Sequence, residues 1–324
     1  MRLSNLDELR GVAALAVTLF HCCFAAEFLP HNSFLSEFAQ FGDKGVQVFF
    51  ILSGLVIPWS ISLRKYDFHL VKEFLLRRFI RIQTPYAIAL FFTILSYVYF
   101  IDSSLRFDPK SLLTNFTYLV PYSEDSWILN VAWTLGVEFQ FYLLIAIFFP
   151  FFVSKKAIIR RITLICLICV GLIPAPSSVN PWYFFPTWAP FFGVGTLLFL
   201  FHSSKITTFE CYLSFAVILC FVCFKYTYLL SLVCLSTIFF LVFCNSIKLP
   251  STLAFVGKIS YSLYLIHLPI ILIIGQTLFD YNLSQKFPNL TVIILTLSAI
   301  CFSVLFYFLF EKPSLSWAKK LKKA

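Results

Sequence analysis

Charge is what this sequence has least of. Only 12% of its 324 residues are Asp, Glu, Lys or Arg, against about 25% in a typical soluble domain. Apolar residues reach 60% and aromatics 19%. A soluble chain of this length keeps roughly a quarter of its unfolded surface exposed after folding, so it cannot hide that much apolar surface. The shortage of charge excludes an ordinary cytosolic enzyme, a disordered chain and a nucleic-acid binder. Other absences narrow the reading further. There is no internal repeat, no low-complexity segment and no second domain, and a soluble catalytic module at either end is not expected. Any chemistry then has to use the helices or the short loops. The first apolar segment lacks a small-x-small cleavage site and contains His21 and Glu27, so it is not read as a cleaved signal peptide. Cys166–Cys169 and Cys220–Cys223 have CxxC spacing, but no His or carboxylate with ligand spacing lies nearby. No metal site is expected, and the ten cysteines read as small lipid- or core-facing residues.

What is present is a series of long apolar runs. A membrane helix needs about 20 mostly apolar residues. Runs at 11–29, 45–63, 83–101, 130–153, 162–176, 186–201, 211–224, 226–244, 259–279 and 288–310 qualify. Prolines 174, 176, 181, 186 and 190 break the charge-free stretch from Ile162 to Ser204 into two spans. Lys225 marks a tight hairpin between two others. The expected fold is an all-α polytopic membrane protein, a bundle of about ten transmembrane helices in a single domain, 1–324. The net charge is +10. With both termini inside, the inner loops hold 20 Lys/Arg and the outer loops 5, which by the positive-inside rule predicts cytoplasmic N- and C-termini. A basic amphipathic cytoplasmic helix is expected at about 66–82, with Phe68, Val71, Phe74, Leu75, Phe79 and Ile82 on one side and Lys72, Arg77 and Arg81 on the other.

An ionisable residue inside a span is costly and points to function. Arg10 at the inner mouth of the first helix and His21 within it are eleven residues apart. At about 100° and 1.5 Å per residue they share one face, about 16 Å apart. Glu138 lies at a similar depth in the fourth span. If the first and fourth spans are neighbours, His21 and Glu138 form a general-base pair. The same pair reads equally as a buried hydrogen bond between helices. Arg78 and Arg81, three apart on one face, read as a phosphate clamp or as part of a helix lying on anionic lipid. Ser53-Gly54 permits close approach of a helix or of a ligand. Tyr261, Tyr264 and His267 fall at i, i+3 and i+6 and line a polar cavity or pack as aromatics. Trp127, Trp182, Tyr183 and Trp188 stack on a sugar or form an interfacial belt. Three Asn-x-Ser/Thr triplets, at Asn115, Asn282 and Asn289, carry little weight.

Several of these segments together resemble the membrane acyltransferase-3 family. Leu6-Asp7-Glu8-Leu9-Arg10-Gly11 with His21 resembles its Arg-x10-His signature. Gly45-Val46-Gln47-Val48-Phe49-Phe50-Ile51-Leu52-Ser53-Gly54 resembles its second segment. Arg78-Phe79-Ile80-Arg81 matches its Arg-x-x-Arg motif, and Trp133-Thr134-Leu135-Gly136-Val137-Glu138-Phe139-Gln140-Phe141-Tyr142 its Trp-Ser-Leu-x-x-Glu-x-x-Phe-Tyr segment. Ser260 to His267 and Glu311-Lys312-Pro313 also fit. Glu8, Gln47 and Thr134 depart from the usual Gly, Asp and Ser; Thr134 keeps the hydroxyl, whereas Gln47 loses a charge.

The resemblance implies an integral membrane O-acyltransferase of stand-alone type, in a bacterial inner membrane. It moves an acetyl group from cytoplasmic acetyl-CoA to a hydroxyl of a surface polysaccharide (O-antigen, capsule or exopolysaccharide) or its lipid-linked precursor. Acetyl-CoA is a co-substrate, and no bound cofactor, metal or nucleic acid is expected. His21, Glu138 and Thr134 are the catalytic candidates. Arg10, Arg78, Arg81, Ser53 and Tyr264 are the acyl-CoA-binding ones. Succinyl-CoA as donor, and a macrolide, lipid or peptidoglycan as acceptor, are alternatives. A transporter or flippase of glycan precursors would also suit helices with buried charge, but no inverted repeat relates the two halves.

Overall fold

The computed structural model describes residues 5–64, 66–101, 107–244 and 247–321, and all their regular structure is helical. Arg2, Lys65, Arg106, Lys322 and Lys323, which enter the charge asymmetry above, lie outside the described residues. The α-helices in chain order are α1 (Leu6–Phe24), α2 (Phe34–Ala39), α3 (Gly45–Ser62), α4 (Val71–Ser96), α5 (Pro109–Phe116), α6 (Trp133–Phe152) and α7 (Ala157–Cys169). They continue as α8 (Phe185–His202), α9 (Thr208–Lys225), α10 (Tyr228–Phe243), α11 (Ser251–Lys258), α12 (Ser260–Asp280), α13 (Leu283–Lys286), α14 (Pro288–Phe306) and α15 (Lys312–Lys320).

Among the described residues, seven helical stretches are long and apolar enough to cross a membrane, fewer than the ten expected. The three others differ for separate reasons. Helix α1 starts early enough to include Asp7, Glu8 and Arg10 in its first turns. Helix α7 has only 13 residues before the chain tightens at Val170–Leu172. Helix α10 is apolar but has 16 residues. The protein is an all-helical, multi-pass integral membrane protein. The segment expected as a separate amphipathic helix at 66–82 runs unbroken into the next span: after a short turn at Phe68–Leu70, α4 continues for 26 residues. Phe68 and Phe79 are exposed, while Arg78 and Arg81 are half-buried.

The hairpin expected at Lys225 is present. Helix α9 ends on that residue and α10 begins three residues later. The Thr227 hydroxyl accepts from the Leu230 amide and caps α10. A reciprocal box between Thr207 and Glu210 caps the other end of α9.

The chain divides into two units. The first holds α3, the start of α4, and α6 to α10; the second holds α1 beyond its first residue, α2, most of α4, α5, and α11 to α15. The first unit is centred on α8, which is buried along nearly its whole length. Helices α3 and α8 cross backbone to backbone: a Cβ on Gly54 would stand 2.2 Å from the Phe192 carbonyl oxygen, and one on Gly195 would stand 1.9 Å from that of Ile51. Gly54 therefore serves helix contact. In the second unit α12 and α14 pack lengthwise, and Cys22, Cys23, Leu29, Ile271, Val292 and Leu295 form a common core.

Helix prolines shape both units. Each lacks an N–H and frees the carbonyl four residues earlier, a costly vacancy away from water. Pro58 frees Gly54, and the Thr196 hydroxyl lies 3.3 Å from that oxygen. Pro85 frees Arg81, whose oxygen lies 3.3 Å from the Ser314 hydroxyl. Pro150 frees Ala146, and Tyr66 donates to it at 2.6 Å. Burial and the neighbouring Asp67 carboxylate push the Tyr66 phenol up, so it remains a donor. Tyr66 is the clear match; the Thr196 and Ser314 hydroxyls lie closer to the Phe192 and Glu311 carbonyls, at 2.9 and 2.8 Å, and only stand beside the freed oxygens.

Tyr66→Phe should cost about 1–3 kcal/mol of stability, read as a lower thermal midpoint in detergent. In a Pro150→Ala background that cost should shrink to a small fraction, because the new amide can close on Ala146. Equal costs in the two backgrounds would refute the pairing.

Candidate active site

The second unit carries a pair of histidines. Helix α1 presents His21 and α12 presents His267, which is fully buried. His267 Nε2 lies 3.0 Å from His21 Nδ1, and His267 Nδ1 lies 2.8 Å from the Leu263 carbonyl oxygen. A carbonyl only accepts, so His267 Nδ1 carries the proton and its Nε2 is the acceptor. That acceptor requires a proton on His21 Nδ1, which also meets the Val17 carbonyl. The lone pair of His21 therefore sits on Nε2, on the opposite side of the ring. The chain Leu263 carbonyl, His267, His21 ends in a base whose tautomer is set by its neighbours. If His21 Nε2 takes up a proton, the resulting imidazolium still has an acceptor at Nδ1.

A second polar cluster closes the same unit. Glu311 is 4% exposed. One of its oxygens accepts from the Ser262 amide at 3.0 Å and from the Ser262 hydroxyl at 2.5 Å. Arg81 and Arg10 both act on this carboxylate electrostatically. It draws together the basic residues of α1 and α4 named from the sequence. Their helices are held as well. Tyr261 donates to the Ile82 carbonyl at 2.8 Å, one residue beyond Arg81. A Cβ on Gly11, next to Arg10, would stand 2.3 Å from the Leu253 carbonyl oxygen, so α1 lies directly on the α11 backbone.

The first unit carries Ser53, Thr134 and Glu138. The Ser53 hydroxyl donates to Glu138 Oε1 at 2.6 Å, linking α3 to α6. Thr134 is buried one turn before Glu138. Gln47, at the start of α3, is buried, with no hydrogen-bond partner at its Oε1 among the described residues. Gln140 clamps the turn before α8: its Nε2 donates to the Tyr183 carbonyl at 3.2 Å and its Oε1 accepts from the Phe185 amide at 3.1 Å.

The site residues named from the sequence thus fall in two groups. Arg10, His21, Arg78, Arg81 and Tyr264 belong to the second unit, and Ser53, Thr134 and Glu138 to the first. Within its unit His21 has His267 as partner, and Glu138 has Ser53. The Tyr264 hydroxyl donates to the Val131 carbonyl at 3.0 Å. The aromatic candidates also separate: Trp182, Tyr183 and Trp188 gather round Trp133, whereas Trp127 is buried and packs near Tyr118. Asn115 is buried with its amide fully engaged by Ser111, Ser126 and Ile128, so its Asn-x-Thr triplet is a folding element.

Two residues matter more than the sequence reading gave them weight for. The sequence pattern sets His267 only with Tyr261 and Tyr264, lining a cavity or packing as aromatics, and Glu311 only in a closing motif. The signal for both was available: each is an ionisable residue within or at the edge of an apolar run.

The hydrogen-bond chain predicts that His21 and His267 are both Nδ1–H tautomers. Nitrogen-15 spectra of the histidine-labelled protein, assigned with His21→Gln and His267→Gln variants, should show two such rings. An Nε2–H tautomer at either position would contradict the relay.

No curated protein and no solved structure matches the chain. Residues 3–308 match the acyltransferase-3 family, described as an acyltransferase domain. That match covers the Arg10–His21 segment, the arginines of α4, the Trp133–Tyr142 segment and His267. The chain belongs to the acyltransferase-3 family of membrane acyltransferases.

Proposed function

We propose that this acyltransferase works as a single domain moving an acetyl group from cytoplasmic acetyl-CoA to a hydroxyl of a cell-surface polysaccharide or its lipid-linked precursor, in a bacterial inner membrane. The observation that carries the reading is the His267–His21 chain, which leaves one basic nitrogen on a helix whose other end bears Arg10. In this mechanism His21 Nε2 takes the proton of the acceptor hydroxyl as its oxygen attacks the thioester carbonyl. The tetrahedral intermediate then expels the CoA thiolate, and His21 returns the proton to that sulfur. His267 stabilises the charged ring in between, the part a carboxylate plays in other triads. A positioned general base is worth about 10²–10⁴ in rate.

The arginines suit the donor. Arg10, Arg78 and Arg81 are the residues assigned to the CoA phosphates, since guanidinium forks pair well with phosphate oxygens. Glu311 lies within electrostatic range of Arg10 and Arg81. The excess of Lys/Arg in alternate loops supports an orientation that sets these residues at the cytoplasmic face. Ser53 and Tyr264 are assigned to the donor path, and Thr134 and Glu138 to the reacting end.

Surface polysaccharide from cells with the gene should gain about 42 Da per repeat, the mass of one acetyl group replacing a hydroxyl hydrogen, and a His21→Ala strain should lose it. His21→Ala, Arg10→Ala and Glu138→Gln should each nearly abolish transfer with membrane insertion intact. His267→Ala should lower kcat by about 10- to 100-fold, short of the loss of the base itself, with KM for acetyl-CoA unchanged. Arg81→Ala should mainly raise that KM. Full turnover in all these variants would overturn the assignment. An unchanged polysaccharide mass, with the protein correctly inserted, would overturn the acceptor.

A further inference from the structure

We propose that the exposed face of Trp182 is an acceptor subsite on which a pyranose ring stacks, an inference that rests on the glycan acylation proposed above. Trp182 is 54% exposed, yet its backbone is tied at both its amide and its carbonyl. Its amide donates to the Asn180 side chain at 3.0 Å. Its carbonyl accepts from Trp188 Nε1 at 2.9 Å. The next residue, Tyr183, is held by its own amide on the Asn180 carbonyl at 2.9 Å and by Gln140 of α6. The indole is also buttressed. Trp133 meets it edge-on at 5.9 Å and 84°, and the buried Trp188 lies 5.3 Å away. A tryptophan that only anchors a protein at the lipid interface needs none of this fixing. A stacking platform does, because a ring already held in place loses little entropy when it binds.

The chemistry selects a sugar ring. An indole presents a flat face of negative potential. A pyranose presents a flat face of C–H groups, with its hydroxyls at the edge. A flexible acyl chain has no matching plane. The position fits acceptor delivery. Helices α3 and α6 meet at Phe50–Trp133, and one turn further along α3 they meet again at Ser53–Glu138. Trp133, against which the platform rests, and the carboxylate assigned to the reacting end belong to one helix, α6, of one unit.

The test uses the full-length protein in nanodiscs with extracted surface polysaccharide as the probe. Saturation of the aromatic protons should transfer to the sugar C–H groups in the wild type and in Trp182→Phe, and be lost in Trp182→Ala. The KM for polysaccharide should rise about tenfold in Trp182→Ala, the size expected for losing one aromatic anchor, with the KM for acetyl-CoA unchanged. If Trp182→Ala acylates the polysaccharide with unchanged KM and unchanged saturation transfer, the subsite is overturned and the glycan acylation stands. If the wild type neither binds nor acylates the polysaccharide, the glycan reading itself falls and takes the subsite with it.

Discussion

Within an apolar surrounding, a polar group without a partner costs several kcal/mol, and water is not there to supply one. Much of this structure follows from that constraint. Pro150 of α6 releases the Ala146 carbonyl, and the hydroxyl of Tyr66, far away in the chain, takes it up; Thr196 and Ser314 stand beside the carbonyls released in α3 and α4. Glu311 is buried where Ser262 offers it two donors and two arginines act on it electrostatically. Asn115, buried without charge, organises its loop by engaging three backbone groups at once.

The histidine pair obeys the same rule and turns it into chemistry. A buried imidazole must place its proton where an acceptor exists. The Leu263 carbonyl decides this for His267, and His267 then decides it for His21. A structural requirement thereby becomes a directed base. The same economy recurs at α4. Pro85 frees the Arg81 carbonyl, which has the Ser314 hydroxyl beside it, and Tyr261 donates to the next carbonyl, that of Ile82, so the backbone beneath the arginines proposed to meet CoA is tied to α12.

Some of this was legible before any coordinates. The apolar runs, the hairpin at Lys225 and the break within the charge-free stretch all come from local composition, where helix formation and proline exclusion act over a few residues. Ser53-Gly54 was readable as a place of close approach, and Gly54 proves to be one. The count of crossing helices was less legible. Hydropathy does not register that α1 begins among charged residues or that α7 ends early. The amphipathic pattern at 66–82 also hid a continuous helix, because periodicity reports a face and says nothing of where a helix stops.

The sequence by itself determined that this is a helical membrane protein, and its ordered motifs determined the family. Those properties depend on composition and on the identity of short segments. It also singled out His21, Glu138 and the arginines, since charge in an apolar run is conspicuous. Only the tertiary structure decided the partners: His267 for His21, Ser53 for Glu138, Ser262 for Glu311, and Tyr66 for the carbonyl that Pro150 frees. The positions in these pairs lie from 49 to 246 residues apart. No local periodicity encodes such a distance. It is set by which helix faces pack, and packing is a property of the whole chain.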